Sequence, residues 1–428
     1  MEITGILTRQ MSGHLLRGFY FICSSIHISA FTMLNRALLL CCIAVAGTLP
    51  AGHGQPNQSA RVKPVVFAGS AQVSNIRGFA QDAYGFLWMA SQDGLYVYDG
   101  RNTNVFNAGE AAPRRLMASD IRAVEPVEGG RRLVCLASYG GPAIVDASAR
   151  KIVYQAASPY KADENWNTCM AIKGHDAYVG SLYQINAFNL KTGASRLICK
   201  MGSATQSSQA AYIRQLYIDS FGQVLALSVN HGLMLLTPGR QEPFIEPAVY
   251  ALLRQQTVLN ALHHLGNNQY ALATSRGLLR FTTQPNGQIV LLPWPGNTAT
   301  VLQQLQVNSL CNSTNNEQVY LFAGNQLLVA DVAFKQISPV QLNRNVAARL
   351  FIGPVEAAYA MPDGQVWAAS NEGLWCIQPR ADALQANPLN SHIYQIAPGH
   401  NAILLGTSTG ISVLPHGGTK AVTLSGHG

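Results

Sequence analysis

The sequence has little charge and no run of charged residues. Only 12% of its 428 residues are Asp, Glu, Lys or Arg, whereas 48% are hydrophobic, a composition that excludes a disordered chain. The net charge is +8, but the basic residues are scattered along the chain. Because nucleic-acid binding requires a clustered basic surface, we expect no nucleic-acid partner.

The sequence motifs of common catalytic and metal sites are also absent. No Cys-x-x-Cys occurs, so no zinc site is predicted, and no Gly-x-Ser-x-Gly nucleophile elbow occurs. His263 and His264 are adjacent in a predicted strand, where they would point to opposite faces and could not readily chelate one metal. We therefore predict no metal, no cofactor and no catalytic residue. Five cysteines beyond the leader are predicted to be mostly buried single thiols: Cys135, Cys169, Cys199, Cys311 and Cys376.

The amino-terminal region is interpreted as a leader. Residues 1–32 are read as an over-extended gene start, with an amphipathic anchor as the alternative. Residues 33–54 combine Arg36, an apolar core over residues 37–46 and small residues after it, which is the pattern of a secretory signal peptide. That apolar core is about half of the ~20 residues needed to span a membrane. Residues 55–63 are predicted to be a polar arm, and the mature protein is predicted to be exported to the periplasm.

One motif recurs through residues 64–428. Its clearest copy runs from Gln81 to Gly100 and consists of an Asp-x-x-Gly turn, an apolar strand, a small residue followed by Ser, a turn with Gly, and another strand. The aligned anchors of eight copies are spaced by 47, 43, 47, 46, 49, 47 and 37 residues. These anchors are Ser91, Ser138, Ser181, Ser228, Thr274, Ala323, Ser370 and Thr407.

This period predicts an all-β fold, a β-propeller of seven or eight four-stranded blades. The apolar runs last four to six residues and end at Gly, Asn or Asp, which is typical of strands and not of helices. Asp82, Asp219 and Asp363 recur at the same point of the motif and are interpreted as turn-forming residues. Trp88 and Trp367 occupy equivalent strand positions and are interpreted as packing residues.

The first repeat resembles the two-component regulator propeller found in periplasmic sensor regions of hybrid two-component histidine kinases. The resemblance rests on the Asp-x-x-Gly-x-Leu-Trp pattern beginning at Asp82 and on the Tyr-Asp-Gly ending at Gly100. It implies a sensor that signals through histidine kinase domains, in cis or in trans, with a second propeller, a membrane helix and a homodimeric parent. This sequence carries no kinase or membrane segment after the eighth repeat, so we expect a fragment, the product of a disrupted gene, or a stand-alone propeller.

The turns between the second and third strands of each blade should lie on one face of the ring. We predict that they form a polar and aromatic crown around one mouth of the channel, which would suit a small ligand. The alternative is that they are polar only because turns are polar. The crown residues are Gln92, Asp93, Tyr139, Tyr183, Asn230, His231, Arg276, Asn371 and Glu372.

Three functions fit the sequence. The first is an extracytoplasmic sensor propeller that binds a small ligand, and family analogy points to an oligosaccharide. The second is a stand-alone propeller enzyme of the lyase or lactonase type. The third is a scaffold whose ring edge binds another protein.

Overall fold

The computed structural model describes residues 60–424 except 68–72, 74, 158–165, 202–209, 241, 314, 343, 380–392, 399–401, 408–409 and 416–421. The predicted leader over residues 1–54 lies outside the described residues, as do positions 55–59. Among the described residues, no helix is long and apolar enough to cross a bilayer.

The described chain folds into eight antiparallel sheets of four strands each, which confirms the predicted propeller fold and its eight repeats. In seven sheets the strands follow one another in sequence, as in a meander, and every pairing is antiparallel. Blades 1 to 3 consist of β2 (Gly78–Gln81), β3 (Leu87–Ala90), β4 (Leu95–Tyr98), β5 (Thr103–Phe106), β6 (Ile121–Val127), β7 (Arg132–Ala137), β8 (Ala143–Asp146), β9 (Lys151–Gln155), β10 (Asn167–Lys173), β11 (Asp176–Ser181), β12 (Gln184–Asn189) and β13 (Ser195–Lys200).

Blades 4 to 6 have the same order, and three short helices lie in the connections that follow blades 4, 5 and 6. Their elements are β14 (Ile213–Ile218), β15 (Val224–Ser228), β16 (Gly232–Leu236), β17 (Phe244–Ile245), α1 (Pro247–Arg254), β18 (Leu259–Gly266), β19 (Gln269–Thr274), β20 (Gly277–Thr283), β21 (Ile289–Leu292), α2 (Ala299–Gln304), β22 (Val307–Asn312), β23 (Gln318–Ala323), β24 (Gln326–Asp331), β25 (Ile337–Pro339) and α3 (Arg344–Leu350). The sequence patterns did not predict these helices. Single 3-10 turns occur at Glu128–Gly130 and Gly296–Thr298.

The ring closes after seven blades through a strand from the other end of the domain. Blade 7 contains β26 (Val355–Ala360), β27 (Val366–Ser370) and β28 (Gly373–Pro379), and its outer strand is β1 (Ala60–Val65). The inner strand of blade 7 contacts the inner strand of blade 1, as each inner strand contacts the next. The eighth sheet therefore stands outside this ring; it comprises β29 (Ile393–Pro398), β30 (Ala402–Thr407), β31 (Gly410–Pro415) and β32 (Val422–Leu424).

The predicted polar arm over residues 55–63 is wrong for its second half. Residues 60–63 belong to β1, in which Arg61 pairs with Gln378 and Val62 with Ile377. The sequence suggested a polar arm because charged side chains alternate with the few apolar residues of this short strand. Ala60 and Val62 pack on the apolar cluster between blades 6 and 7, while the charged neighbours stay exposed.

Apolar clusters hold the blades together, one at each of the seven junctions of the ring. Trp88 is fully buried in the cluster between blades 1 and 2, and Trp367 is buried between blades 7 and 1, so both are packing residues as predicted. The second strands are buried at nearly every position, as expected for strands covered on both faces. All five described cysteines are buried and free, as predicted for most of them.

The recurring aspartates form the turns between first and second strands. Asp82 Oδ1 accepts hydrogen bonds from the backbone N–H groups of Tyr84 and Phe86, each at 2.9 Å. Asp219 Oδ1 accepts the equivalent pair, also at 2.9 Å, from Phe221 and Gln223. A side chain that caps its own turn explains why this residue recurs in the repeat.

Candidate functional site

The strand order fixes which loops share an end of the ring. Each inner strand runs from one mouth of the channel to the other, and the second strand returns antiparallel. The turns between second and third strands therefore lie at the mouth where the inner strands begin, together with the connections between blades and their three helices. We call this the crown mouth. The aspartate turns lie at the opposite mouth.

The inner strands enclose a cavity of about 810 Å³ along the ring axis. This volume is within the range typical of sites for small organic ligands. The wall contains residues from all seven blades and combines small or apolar side chains with many polar and ionisable ones. A second, small cavity of about 50 Å³ lies between blades 7 and 1 beside Asn371.

A β-bulge occurs at the same place in the inner strand of blades 2, 3, 4, 5, 6 and 7. In each, one residue near the crown mouth has no partner on the second strand, for example the residue between Ile121 and Ala123. A bulge re-aims a side chain and ends regular pairing, and bulges are over-represented beside active sites. The bulged residues are all polar, and we call them the bulge ring: Arg122, Thr168, Arg214, Asn260, Asn308 and Glu356.

The bulge ring, except Asn308, lines the cavity, and Arg77 of blade 1 lines it at the corresponding position. Several members also bond to the next blade. Arg214 Nη1 donates to the carbonyl of Leu259 at 3.2 Å, and Asn260 Nδ2 donates to that of Val307 at 2.7 Å. These bonds orient polar side chains around the mouth and link neighbouring blades.

Charge at the crown mouth is unevenly distributed around the ring. Asp120 pairs with two arginines: one oxygen contacts Arg77, and the other accepts from Arg122 Nη2 at 2.5 Å. Arg122 Nε is buried and has no hydrogen-bond partner among the described residues. Arg214, two blades further on, forms no ion pair within the described part of the chain. The arginines thus lie on blades 1, 2 and 4, whereas the exposed Glu356 is on blade 7.

Deeper in the channel, a second set of ionisable side chains approaches the axis. Glu125 follows Arg122 by three residues on β6, and burial raises its pKa to about 7. Its charge acts on Tyr217 and Tyr359, whose pKa values are raised mainly by burial. His263 also lines the cavity; its Nε2 lies 2.6 Å from Asn312 Oδ1, and burial lowers its pKa.

His263 and His264 point away from each other, as the strand alternation predicts. His263 faces the channel, whereas the exposed His264 ring lies 5.1 Å from the ring of Tyr270. Among the described residues, no group of three or more His, Cys, Asp or Glu side chains has the geometry to hold a metal ion.

The predicted crown residues lie in the turns at the crown mouth, but none lines the axial cavity. The recurring hydroxyl anchors shape these turns. Ser91 Oγ accepts from the Asp93 N–H at 3.1 Å, and Thr274 Oγ1 accepts from the Arg276 N–H at 3.0 Å. Ser228 Oγ likewise accepts from the His231 N–H at 3.0 Å. The anchors recur because they cap the crown turns.

The crown side chains are held by local contacts in several blades. Gln92 Oε1 accepts from Asn75 Nδ2 at 2.6 Å, and Asn230 Nδ2 donates to the carbonyl of Ala210 at 2.5 Å. Arg276 Nη2 donates to the carbonyl of Gln255, just after α1, at 3.0 Å.

The other crown residues differ in their exposure and surroundings. The Tyr139 ring lies edge-on to that of Trp166 at 6.2 Å. Burial lowers the pKa of His231. Tyr183 is partly buried, and Asn371 and Glu372 are exposed. The crown residues therefore surround the mouth from outside and do not line the cavity.

Sequence reasoning missed the bulge ring, although a signal for it exists. Arg122, Thr168, Arg214 and Asn260 are separated by 46 residues each, the repeat period, and each precedes the apolar part of an inner strand. The repeat motif is strongest in the second strands, so the polar position at the start of the inner strand does not stand out in it. Which residue a bulge displaces depends on ladder hydrogen bonds that the sequence does not show.

No protein-family profile matches the chain, and no curated protein matches its sequence. Solved structures do match its fold. Two are extracellular domains assigned to hybrid two component systems of B. thetaiotaomicron, with TM-scores of 0.54 and 0.55 and identities of 16% and 14%. They cover 82% and 86% of this chain, which spans 45% and 49% of theirs, about half their length. A streptogramin B lyase matches with a TM-score of 0.54 and 12% identity, over 75% of this chain and 98% of its own.

Proposed function

We propose that this chain is the ligand-sensing propeller of an extracytoplasmic signalling protein and that it binds a small ligand in the channel at the crown mouth. The observation that carries the proposal is the cavity of about 810 Å³ whose rim consists of polar residues projected by a bulge in successive blades. The apolar clusters between the blades do not include these polar residues, so the ring is additional to the core.

The signalling part of the proposal rests on the first repeat and on the shared fold. The chain resembles the extracellular domains of hybrid two component systems in its propeller. In the proposed protein it acts through kinase domains in cis or in trans. Fold does not determine function, so the sensing role requires a test of its own. In the proposed protein, the crown residues provide the outer wall of the site, and a periplasmic location would expose the crown mouth to external ligands.

The test is to fill the channel. Ala171 lies on the inner strand β10, lines the cavity and packs on the edge of the cluster between blades 3 and 4, so Ala171→Trp should narrow the channel, and its melting temperature shows whether the junction is intact. Leu197→Trp places the same ring on the exposed outer strand β13 and is the matched control. Purified proteins would be titrated calorimetrically with neutral sugars, acidic sugars and amino acids. Binding to the wild type and to Leu197→Trp, with loss in Ala171→Trp, supports the proposal. Binding that survives in Ala171→Trp contradicts the channel site.

An enzyme of the lyase type is the alternative, because a streptogramin B lyase has the same fold. The channel contains ionisable groups that could act in catalysis, namely those of Glu125, Tyr217 and His263. Mass spectrometry of each bound compound, recovered after long incubation, separates the two roles. Unchanged compound supports a sensor, and a product whose formation is lost in Ala171→Trp supports an enzyme.

A further inference from the structure

The arginines at the crown mouth have more positive charge than the nearby carboxylate can balance. Asp120 is the single acidic partner of both Arg77 and Arg122 among the described residues, so this cluster keeps a net positive charge. Arg214 adds a third guanidinium to the same cavity wall, where the described residues offer it a carbonyl and no carboxylate. An anion entering the cavity would therefore meet a positive half of the rim.

The guanidinium groups of Arg122 and Arg214 have N–H donors that make no hydrogen bond to the described residues. Each guanidinium carries five N–H donors in a planar fork that matches a carboxylate. Arg122 Nε is buried and has no partner in the described structure, a situation that costs stability unless a ligand satisfies it. Arg214 uses Nη1 for the Leu259 carbonyl, which fixes the side chain while its other donors remain available. Both groups are held in position before any ligand arrives.

The other half of the rim has a different chemistry. Asn260 lines the cavity and donates its Nδ2 to the Val307 carbonyl, which leaves its Oδ1 as an acceptor. Glu356 on blade 7 is an exposed carboxylate. Acceptors of this kind bind hydroxyl groups and repel a second anion. A matching ligand is therefore acidic at one end and carries hydroxyls at the other.

We propose that the crown mouth is a subsite for an acidic sugar, in which Arg122 and Arg214 bind the carboxylate and Asn260 and Glu356 accept hydrogen bonds from the hydroxyls. The proposal rests on the channel-binding function above and specifies its ligand class. A charge-assisted pair between a guanidinium and a carboxylate is the interaction that distinguishes a uronate from its neutral sugar.

The experiment compares galacturonate with galactose, which differ only at C6, a carboxylate in the first and a hydroxymethyl group in the second, by calorimetric titration at low and high salt. The wild type should bind galacturonate at least about ten-fold more tightly than galactose, with the difference shrinking as salt rises. Arg214→Gln should remove most of that preference, because it should weaken galacturonate binding far more than galactose binding. Arg196→Gln removes one arginine from the exposed strand β13 and should keep the preference. Acetate and sulfate at the same concentrations show whether an anion alone is enough.

The outcomes separate this proposal from the channel function. The acidic subsite is overturned if the wild type binds the two sugars equally, or if Arg214→Gln weakens the binding of both sugars equally. In either case Ala171→Trp still tests the channel. Absence of galacturonate binding to the folded wild type also overturns it. Binding of acetate or sulfate as tight as that of galacturonate contradicts the role of Asn260 and Glu356. Circular dichroism and melting temperature verify that each variant is folded.

Discussion

The indole Nε1 of Trp88 donates a hydrogen bond of 2.8 Å to Asp82 Oδ2, inside the junction between blades 1 and 2. The same carboxylate uses its other oxygen to cap the turn that leads into the Trp88 strand. The two residues therefore join a local turn to the core between blades. This pair explains why the Asp-x-x-Gly turn and the tryptophan occur together in the first repeat.

Truncation of Trp88 should be among the most damaging changes in blade 1. Trp88→Ala removes a fully buried side chain and leaves Asp82 without its indole partner, so we expect a loss of about 3–5 kcal/mol in the free energy of unfolding. Trp88→Phe keeps most of the volume and loses the hydrogen bond, and it should cost about 1–3 kcal/mol. Urea unfolding measures both, with the exposed Tyr84→Ala as control. A loss under about 1 kcal/mol for Trp88→Ala would contradict its core assignment.

Only one face of the closing strand β1 should contribute to the stability of the fold. Val62 packs on the cluster between blades 6 and 7, while the adjacent Lys63 is exposed. Val62→Asp places a charge against that apolar cluster and should cost about 1–3 kcal/mol, since it loosens the strand that completes blade 7. Lys63→Asp changes the charge more but should shift stability by less than about 0.5 kcal/mol. Urea unfolding and protease sensitivity test the pair, and similar losses in both would refute the predicted facing of β1.

The sequence predicted the repeat well because the repeat is a local pattern. The repeat from Gln81 to Gly100, recognised from short apolar runs and turn residues, contains the strands β3 and β4 and the turns on either side of β3. Ring closure was not predicted, because the pairing of Val62 with Ile377 joins segments more than 300 residues apart. The number of blades in the ring follows from that one pairing, so the sequence alone left seven and eight open.

The candidate site was predicted only in its outer part. The crown turns were found because Ser91, Ser228 and Thr274 mark them in the repeat. The channel wall was missed because its polar members differ in type from blade to blade: Arg122 and Arg214 share a position with Thr168 and Glu356. A repeat alignment highlights what the blades share, whereas a binding site depends on how they differ.

Glu125 should make stability depend on pH. Burial raises its pKa to about 7 in the folded protein, above the ordinary value of 4.5, so the fold favours the protonated carboxyl. The corresponding stability is fully present below about pH 4.5 and is lost as the pH rises through about 7. It amounts to about 1–3 kcal/mol. Relative to Glu125→Gln, which is neutral throughout, the wild type should lose that much stability between pH 5 and pH 8.

Urea unfolding of the two proteins at several pH values measures this difference, and subtraction removes the titration of other groups such as His263. Glu317→Gln, on the exposed part of the blade 6 hairpin, controls for the loss of one carboxylate. Parallel pH profiles for the wild type and Glu125→Gln would mean that Glu125 is charged in the folded channel at neutral pH.

The crown residues should matter only for ligands that extend beyond the cavity. Tyr183 and Arg276 lie in turns at the crown mouth but outside the cavity lining, where a second sugar unit would emerge. Tyr183→Ala and Arg276→Ala should therefore weaken binding of trigalacturonate by about 3–30-fold, since an aromatic platform and a charged donor each contribute about 0.5–2 kcal/mol. Galacturonate binding should not change. Melting temperatures should stay near the wild-type value, because both side chains are outside the clusters between blades.

The matched controls for these variants lie at the opposite mouth. Tyr84 is exposed in the turn between β2 and β3, and Arg240 is exposed after β16, so Tyr84→Ala and Arg240→Ala remove the same side-chain types from the wrong end of the channel. Both should bind trigalacturonate as the wild type does. If the two crown variants also bind it with wild-type affinity, the crown is excluded from the site and the ligand lies wholly within the channel. If the control variants lose affinity instead, the ligand enters from the mouth that carries the aspartate turns.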